Sequence, residues 1–343
     1  MNNKPSLAGL SPEDILSMTG IKERYRGRQI FEWLKRGAES FEQMTNLPAA
    51  LREKLADSFC IFSTTVETAE VDDDGTAKIA LRMHDDCLIE AVLLIDENER
   101  RTACLSSQVG CAMGCSFCRT GMMGFRRNLS SVEIIEQFMH LQSLYGEISN
   151  IVYMGMGEPL MNTGEVIKSL EYFTSEKGLG MSARRITVST CGITEGIKRL
   201  ADEAPPVRLA VSLVSADPET RTEIMPVTRT SSLDSLKTAL MHYQQTGGRR
   251  ITLECAIIGG VNDRREGASL IAAWSEGLSV NVNVIPWNPA SEIDFREPTM
   301  KNLEAFCREL ERKKIPYTRR YRRGRGLNAA CGQLAVNLDK NKS

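Results

Sequence analysis

The chain has 343 residues, 42% of them hydrophobic and 25% charged, and its 43 Lys and Arg against 44 Asp and Glu leave a net charge of −1. This excludes a polycation built to coat nucleic acid, and no apolar run reaches the length of a membrane span. The N-terminus lacks the basic-then-apolar layout of a signal peptide, so a cytosolic location is the expectation.

In chain order, the first 62 residues read as a small helical accessory domain. Ser11-Pro12-Glu13-Asp14 has the form of an N-cap with proline in the first turn. Ile30, Phe31 and Leu34 fall on one helical face, and helical spacing resumes from Ala49 to Phe59 after Leu47-Pro48. Over residues 63–98 the period shortens to two. Lys78–Met83 and Leu88–Leu94 predict a β-hairpin around His84-Asp85-Asp86. Residues 99–343 then alternate strand and helix. Strands are expected at Asn150–Met154, Arg185–Ser189, Arg208–Leu213, Arg250–Ala256 and Val280–Ile285. Helices are expected at Val132–Leu144, Gly164–Thr174, Glu195–Glu203, Leu233–Gln244, Arg265–Glu276 and Met300–Lys313. Repeated βα units give an α/β fold with a parallel sheet, a partial TIM-like barrel whose ligands sit at the C-terminal strand ends. Those ends carry Gly155–Pro159, Thr190–Gly192, Leu213–Ser215 and Pro286–Pro289.

Ten cysteines are too many to ignore in a cytosolic chain. Cys111, Cys115 and Cys118 have C-x3-C-x2-C spacing, which lets three thiolates from one loop reach three irons of a cubane and leaves the fourth iron open to a chelating small molecule. A zinc knuckle is the alternative, but it needs a fourth ligand, and neither His84 nor His140 keeps ligand spacing. Cys60, Cys87, Cys191, Cys255 and Cys307 lie apart in apolar or mixed sequence and read as small buried hydrophobes without chemistry.

Phe117 before the last cysteine completes a likeness to the CxxxCxxC signature of the radical S-adenosylmethionine superfamily. The likeness continues through Cys104–Cys111, Thr120–Leu129, Met154–Leu160, Ser189–Gly192, Gly260–Asp263, Ile285–Pro289 and Ala329–Leu334, with Tyr25–Trp33 and Met44–Pro48 in the helical module. In this order the motifs resemble the RlmN/Cfr family of radical RNA methyltransferases, with Met-Gly-Met-Gly-Glu-Pro nearest the RlmN branch. The resemblance implies a partial (β/α)6 barrel, a 4Fe-4S cluster on Cys111, Cys115 and Cys118, and two S-adenosylmethionine molecules per turnover. It assigns S-adenosylmethionine contacts to Gly157, Glu158, Ser189, Ser212, Leu213, Val214 and Asn288. It makes Cys331 the cysteine that carries a methyl group, Cys104 the thiol that releases the product by forming a disulfide with Cys331, and Glu90 a proton acceptor. Whether Cys104 or Glu90 takes the ring proton stays open.

The implied reaction is methylation at C2 of an adenosine in 23S ribosomal RNA, with transfer RNA as a further substrate and an electron donor such as flavodoxin. Adenine C2 is an amidine carbon and not a nucleophile, so ordinary methyl transfer fails there and a radical route is needed. C8 methylation, as in the Cfr branch, is the alternative, and a divergent paralogue that binds RNA and a cluster without turnover is another. A monomer and no membrane partner are expected. Two basic stretches fit RNA phosphates: Lys22, Arg24, Arg26 and Arg28, and the run Lys313, Lys314, Arg319, Arg320, Arg322, Arg323 and Arg325 before Cys331. The chain departs from the family at Val214, where histidine is usual, and at Arg325–Asn328, where acidic residues are usual.

Overall fold

The computed structural model describes residues 4–247, 249–289, 293–320 and 332–334. Three helices come first: α1 (Pro12–Thr19), α2 (Arg24–Lys35) and α3 (Ala49–Ser58). The Ser11 cap forms as its sequence predicts, with Ser11 Oγ accepting from the Asp14 N–H at 3.2 Å. Ile30, Phe31 and Leu34 are buried together on α2.

Strands β1 (Thr65–Val71), β2 (Ala77–Arg82), β3 (Leu88–Ile95) and β4 (Arg101–Cys104) follow as an antiparallel ribbon. Next come β5 (Gln108–Gly110), α4 (Arg119–Met122) and β6 (Phe125–Asn128), and β5 and β6 pair with each other. The βα alternation then runs α5 (Ser131–Tyr145), β7 (Asn150–Tyr153), α6 (Thr163–Thr174), β8 (Ile186–Thr190), α7 (Thr194–Glu203), β9 (Arg208–Ser212), α8 (Pro218–Ile224) and α9 (Leu233–Gly247). It closes with β10 (Ile251–Ile257), α10 (Arg265–Trp274), β11 (Val280–Pro286), α11 (Met300–Arg312) and β12 (Tyr317–Arg319).

Ten strands form one open sheet in the order β1-β2-β3-β4-β7-β8-β9-β10-β11-β12, and pairing is parallel from β4 onward. This is the expected partial barrel, extended rather than preceded by the antiparallel ribbon. Along β10 the buried Ile251, Leu253, Cys255 and Ile257 alternate with Thr252, Glu254 and Ala256, which face the other way. Residues paired across strands share a face, so the register carries one inner face from Val92 through Cys104, Val152, Thr187 and, two residues on, Ser189. It continues from Ser189 to Ala210, and from Ser212 to Glu254 and Asn283. Glu90, two residues from Val92 on β3, lies on that face too.

The helical module and the barrel share one contiguous apolar core. The module docks along α5, where Gln142 Nε2 donates to Lys35 O at 2.8 Å. Its anchor is Glu136, which is fully buried. The Glu136 carboxylate accepts from Ser6 Oγ (2.8 Å), Ser63 N (2.7 Å), Thr64 N (2.9 Å) and Thr64 Oγ1 (2.6 Å). Glu136→Ala strands two backbone N–H groups and their neighbouring hydroxyls without water, and a loss of about 3–5 kcal/mol is expected in denaturant unfolding.

His140, one turn along α5, stacks on Phe62 with ring centroids 4.1 Å apart and contacts Thr64 Oγ1 at 3.0 Å. Burial pulls its pKa down to about 4. The unfolded chain therefore takes up a proton near pH 6.5 that the folded chain refuses until about pH 4. The contribution of His140 to stability is complete above about pH 6.5 and falls away, by about 3 kcal/mol, on acidification through that window. His140→Gln should flatten this acid limb in urea melts at stepped pH, and an unchanged limb would refute the assignment.

Candidate active site: a cysteine-rimmed cavity at the strand ends

A cavity of about 190 Å3 opens at the C-terminal ends of the parallel strands. Cys111, Cys115 and Cys118 line it, together with Gly157, Glu158, Ser189, Ser212, Val214, Asn288 and Gly332. The cysteine loop is held at both ends. β5 and β6 clasp its base, with Gln108 opposite Asn128 and Gly110 opposite Phe125. The Cys111 N–H donates to Gly124 O at 2.9 Å, and Gly110 must be glycine: its φ is +75° and a Cβ there would lie 1.9 Å from Gly124 O. At the far end the Ser116 N–H donates to Ile224 O at 3.0 Å, which ties the loop to the end of α8, and Cys118 caps α4. Arg127 on β6 bridges Asp85 (2.6 Å) and Glu133 (2.8 Å), fixing the clasp to the β2–β3 turn and to α5.

The three thiols line one cavity wall. A cubane takes three thiolates from one such loop, each on its own iron. Burial pushes the Cys111 thiol up to about 12 and raises Cys115 as well. Cluster assembly must displace those protons, which a bound cation does outright.

Glu158 is buried under the loop after β7. Its Oε1 accepts from the Leu160 N–H at 3.0 Å and its Oε2 from the Cys191 N–H at 2.7 Å, while burial raises its pKa against those bonds. Its own N–H donates to Gln108 Oε1 at 2.8 Å, so one glutamine links the cysteine clasp to this loop. Gly157 has φ +96°, and a Cβ there would lie 2.5 Å from Gln108 Cβ. Gly157→Ala must move that glutamine. S-adenosylmethionine binding is expected to weaken at least about tenfold in equilibrium dialysis, with iron content retained.

Asn288 presents a buried Oδ1 that has no hydrogen-bond partner among the described residues. An orphaned acceptor in a cavity wall suits a ligand that brings an N–H or O–H donor. Val214 is buried at φ +59°, a strained setting for a β-branched residue. Its N–H donates to Glu254 O (3.2 Å) and its carbonyl accepts from Asn262 Nδ2 (2.8 Å), so at this departure from the family pattern the backbone is pinned on both sides. Leu213 is fully buried and does not line the cavity; its carbonyl accepts from Arg221.

Cys104 and Glu90 are also absent from the cavity wall, though both lie on the inner sheet face. Glu90 Oε1 pairs with Lys78 Nζ at 3.1 Å, and its Oε2 is buried without a hydrogen bond among the described residues. Cys331, Arg322, Arg323 and Arg325–Asn328 lie outside the described residues. Gly332, Gln333 and Leu334 are described and are stapled to the cysteine loop. Arg119 N donates to Gly332 O (2.9 Å), Thr120 Oγ1 to Leu334 O (2.6 Å), and Gln333 Nε2 to Pro289 O (3.0 Å). Sequence reasoning missed three wall or near-wall groups. Cys191 packs with Cys115, Glu254 lines the cavity while accepting from Asn283 Nδ2 at 2.9 Å, and Arg221 lies buried against Cys191 O. Strand register and the α8 connection place them, and neither leaves a local sequence mark.

Residues 105–268 match the radical S-adenosylmethionine superfamily, and residues 13–61 match the ribosomal RNA large subunit methyltransferase N-terminal domain. A curated relative in Treponema pallidum, named "probable dual-specificity RNA methyltransferase RlmN", is 45% identical over 96% of this chain and 97% of its own. One from Moorella thermoacetica with the same name is 44% identical over 97% and 98%. The crystal structure of a radical S-adenosylmethionine methyltransferase from Sphaerobacter thermophilus superposes with TM-score 0.91 at 39% identity, covering 96% of this chain and 99% of that one. The cofactors of this superfamily are a 4Fe-4S cluster and S-adenosylmethionine. The thiol triad in the cavity wall and the orphaned Asn288 acceptor fit them. Matched at both ends of the chain and across almost all of its length, the protein belongs to the RlmN family of radical S-adenosylmethionine methyltransferases.

Proposed function

We propose that this protein methylates C2 of an adenosine in 23S ribosomal RNA, and in transfer RNA as a second substrate, with Cys331 carrying the one-carbon unit. The observation that carries this reading is the staple of Gly332–Leu334 onto Arg119 and Thr120, which fixes the residue following Cys331 in the wall of the cavity beside Cys118. Relatives named for dual-specificity RNA methylation support the substrate class.

In this reading Cys111, Cys115 and Cys118 hold the cluster. Gly157, Glu158, Ser189, Ser212, Val214 and Asn288 seat S-adenosylmethionine, with Leu213 supporting them from behind. The bound pair supplies one-electron chemistry that can take hydrogen from an unactivated C–H bond. Cys331, as a thiolate, first accepts a methyl group by displacement. Glu90, held by Lys78 with one carboxylate oxygen unsatisfied, takes the ring proton. The Cys104 thiolate then attacks the Cys331 sulfur, forming the Cys104–Cys331 disulfide as the sulfur–carbon bond breaks, and the released carbon takes up a proton to become the product methyl group. Lys22, Arg24 and Arg28 are exposed on the helical module and, with the basic run before Cys331, grip RNA phosphates. The electron comes from a reduced flavodoxin-type carrier, and an RNA substrate of this kind sets the work in the cytosol.

The test is incubation of cluster-loaded protein with S-adenosylmethionine, dithionite and 23S RNA, followed by nucleoside mass spectrometry. 2-Methyladenosine is expected, along with a methyl group on the Cys331 peptide. 8-Methyladenosine, or no methylated base, would sink the reading.

A further inference from the structure

Arg221 on α8 is fully buried. Its Nε donates to Leu213 O at 3.0 Å, its Nη1 to Thr228 Oγ1 at 2.6 Å, and its Nη2 to Cys191 O at 2.7 Å and Ser212 O at 3.4 Å. Every acceptor is neutral, and among the described residues no carboxylate pairs with this guanidinium. A guanidinium keeps its proton in a protein, and a buried charge without a partner is among the most unfavourable things a fold can contain. Its Cys191 contact leads to the cluster loop, because Cys191 packs with Cys115.

The missing negative charge has a source. Three thiolates outweigh the positive core of an oxidised cubane, so the loaded site is an anion, and one-electron reduction makes it more so. α8 is also the element that holds the cysteine loop, through Ile224 O, and its Ile224 and the following Met225 pack against Cys115.

We propose that Arg221 is the built-in counter-charge of the cluster and raises its reduction potential. The inference rests on Cys111, Cys115 and Cys118 being the cluster ligands. A fixed cation stabilises the reduced, more negative state above the oxidised one. Because Arg221 is buried, added salt does not replace it.

Arg221 also ties the ends of β8 and β9 together, so the test must separate charge from scaffold. Arg221→Gln keeps donors without charge, Arg221→Met removes both, and Arg221→Lys keeps charge with different donors. Each is reconstituted and titrated against redox mediators, with the reduced cluster read by electron paramagnetic resonance. At a fixed ambient potential the reduced-to-oxidised ratio should fall at least about tenfold in the Gln and Met variants, a shift of 59 mV for one electron. The Lys variant should stay near wild type. Cluster loading should also raise the melting temperature of wild type more than that of Arg221→Met.

A Gln variant at the wild-type potential overturns the proposal, as does a Lys variant shifted as far as Gln. Variants that fold neither with nor without the cluster make Arg221 a strut and overturn it too. Iron content keeps the two readings apart. If Cys118→Ala retains a 4Fe-4S cluster, the ligand assignment fails and this inference falls with it. If the ligands hold and the potential does not move, only the role of Arg221 is refuted.

Discussion

Alanine at any one of Cys111, Cys115 and Cys118 empties the cluster site, and iron per chain drops from about four to below about one. In the proposed assignment each thiolate holds a different iron, so the remaining two cannot share the load of the third. Two further described thiols on this side of the sheet are held in their own places. Cys191 packs near Cys115, but its N–H is fixed to Glu158 and its carbonyl to Arg221, and Cys104 lies deeper on the inner sheet face. The fold itself should survive, because the loop is held by its backbone, through Gly124 O and Ile224 O, and not by its sulfurs. Circular dichroism should therefore match wild type while the brown absorbance and S-adenosylmethionine cleavage disappear. A Cys118→Ala protein that still cleaved S-adenosylmethionine would refute the triad.

Cys331→Ala is expected to give the opposite pattern. Iron content and S-adenosylmethionine cleavage stay, because the triad and the cavity wall are intact, but RNA methylation falls below detection. Activity should be lost at least about a thousandfold, since the carrier is a covalent participant and water cannot replace it. Cys104→Ala should block a later step. Methyl transfer onto Cys331 proceeds, release fails, and RNA remains attached to protein on a denaturing gel. If Cys331→Ala retains methylation, or Cys104→Ala releases free product at the wild-type rate, the two cysteines do not have these roles.

Five of the parallel strands and the long helices were legible to within two residues, apart from α9, which runs three residues past Gln244 to Gly247. Their burial is periodic, as in β10, and their caps are local, as at Ser11 and Ser130. The short elements were not. Pro218–Ile224 reads as PETRTEI, charged and brief, and nothing in it says that Arg221 is buried. That burial depends on carbonyls from Cys191, Ser212 and Leu213, which only the parallel register of β8 and β9 brings together. Glu254 was hidden for a similar reason. It occupies an alternating position on β10, and which face looks into the cavity is set by pairing with β9 and β11. The cysteine triad was legible because its spacing is itself the chemistry. Cys191 reads as a small buried hydrophobe at a ligand-bearing strand end, and it is buried there, with its N–H on Glu158.

The Gly332–Leu334 staple has a consequence for how such a protein can diversify. The chain is fixed at Arg320, whose N–H donates to Val284 O, and fixed again at Gly332. Closing a chain between two fixed points depends only weakly on the number of residues between them, about 0.6 kcal/mol per doubling, so the sequence there can change in length and charge at little cost. The moorings and the wall behind them do not have to move when it does. Substrate contacts carried by that sequence can thus be altered while the wall beside Cys118 stays in place. Arg325–Asn328 falls within it.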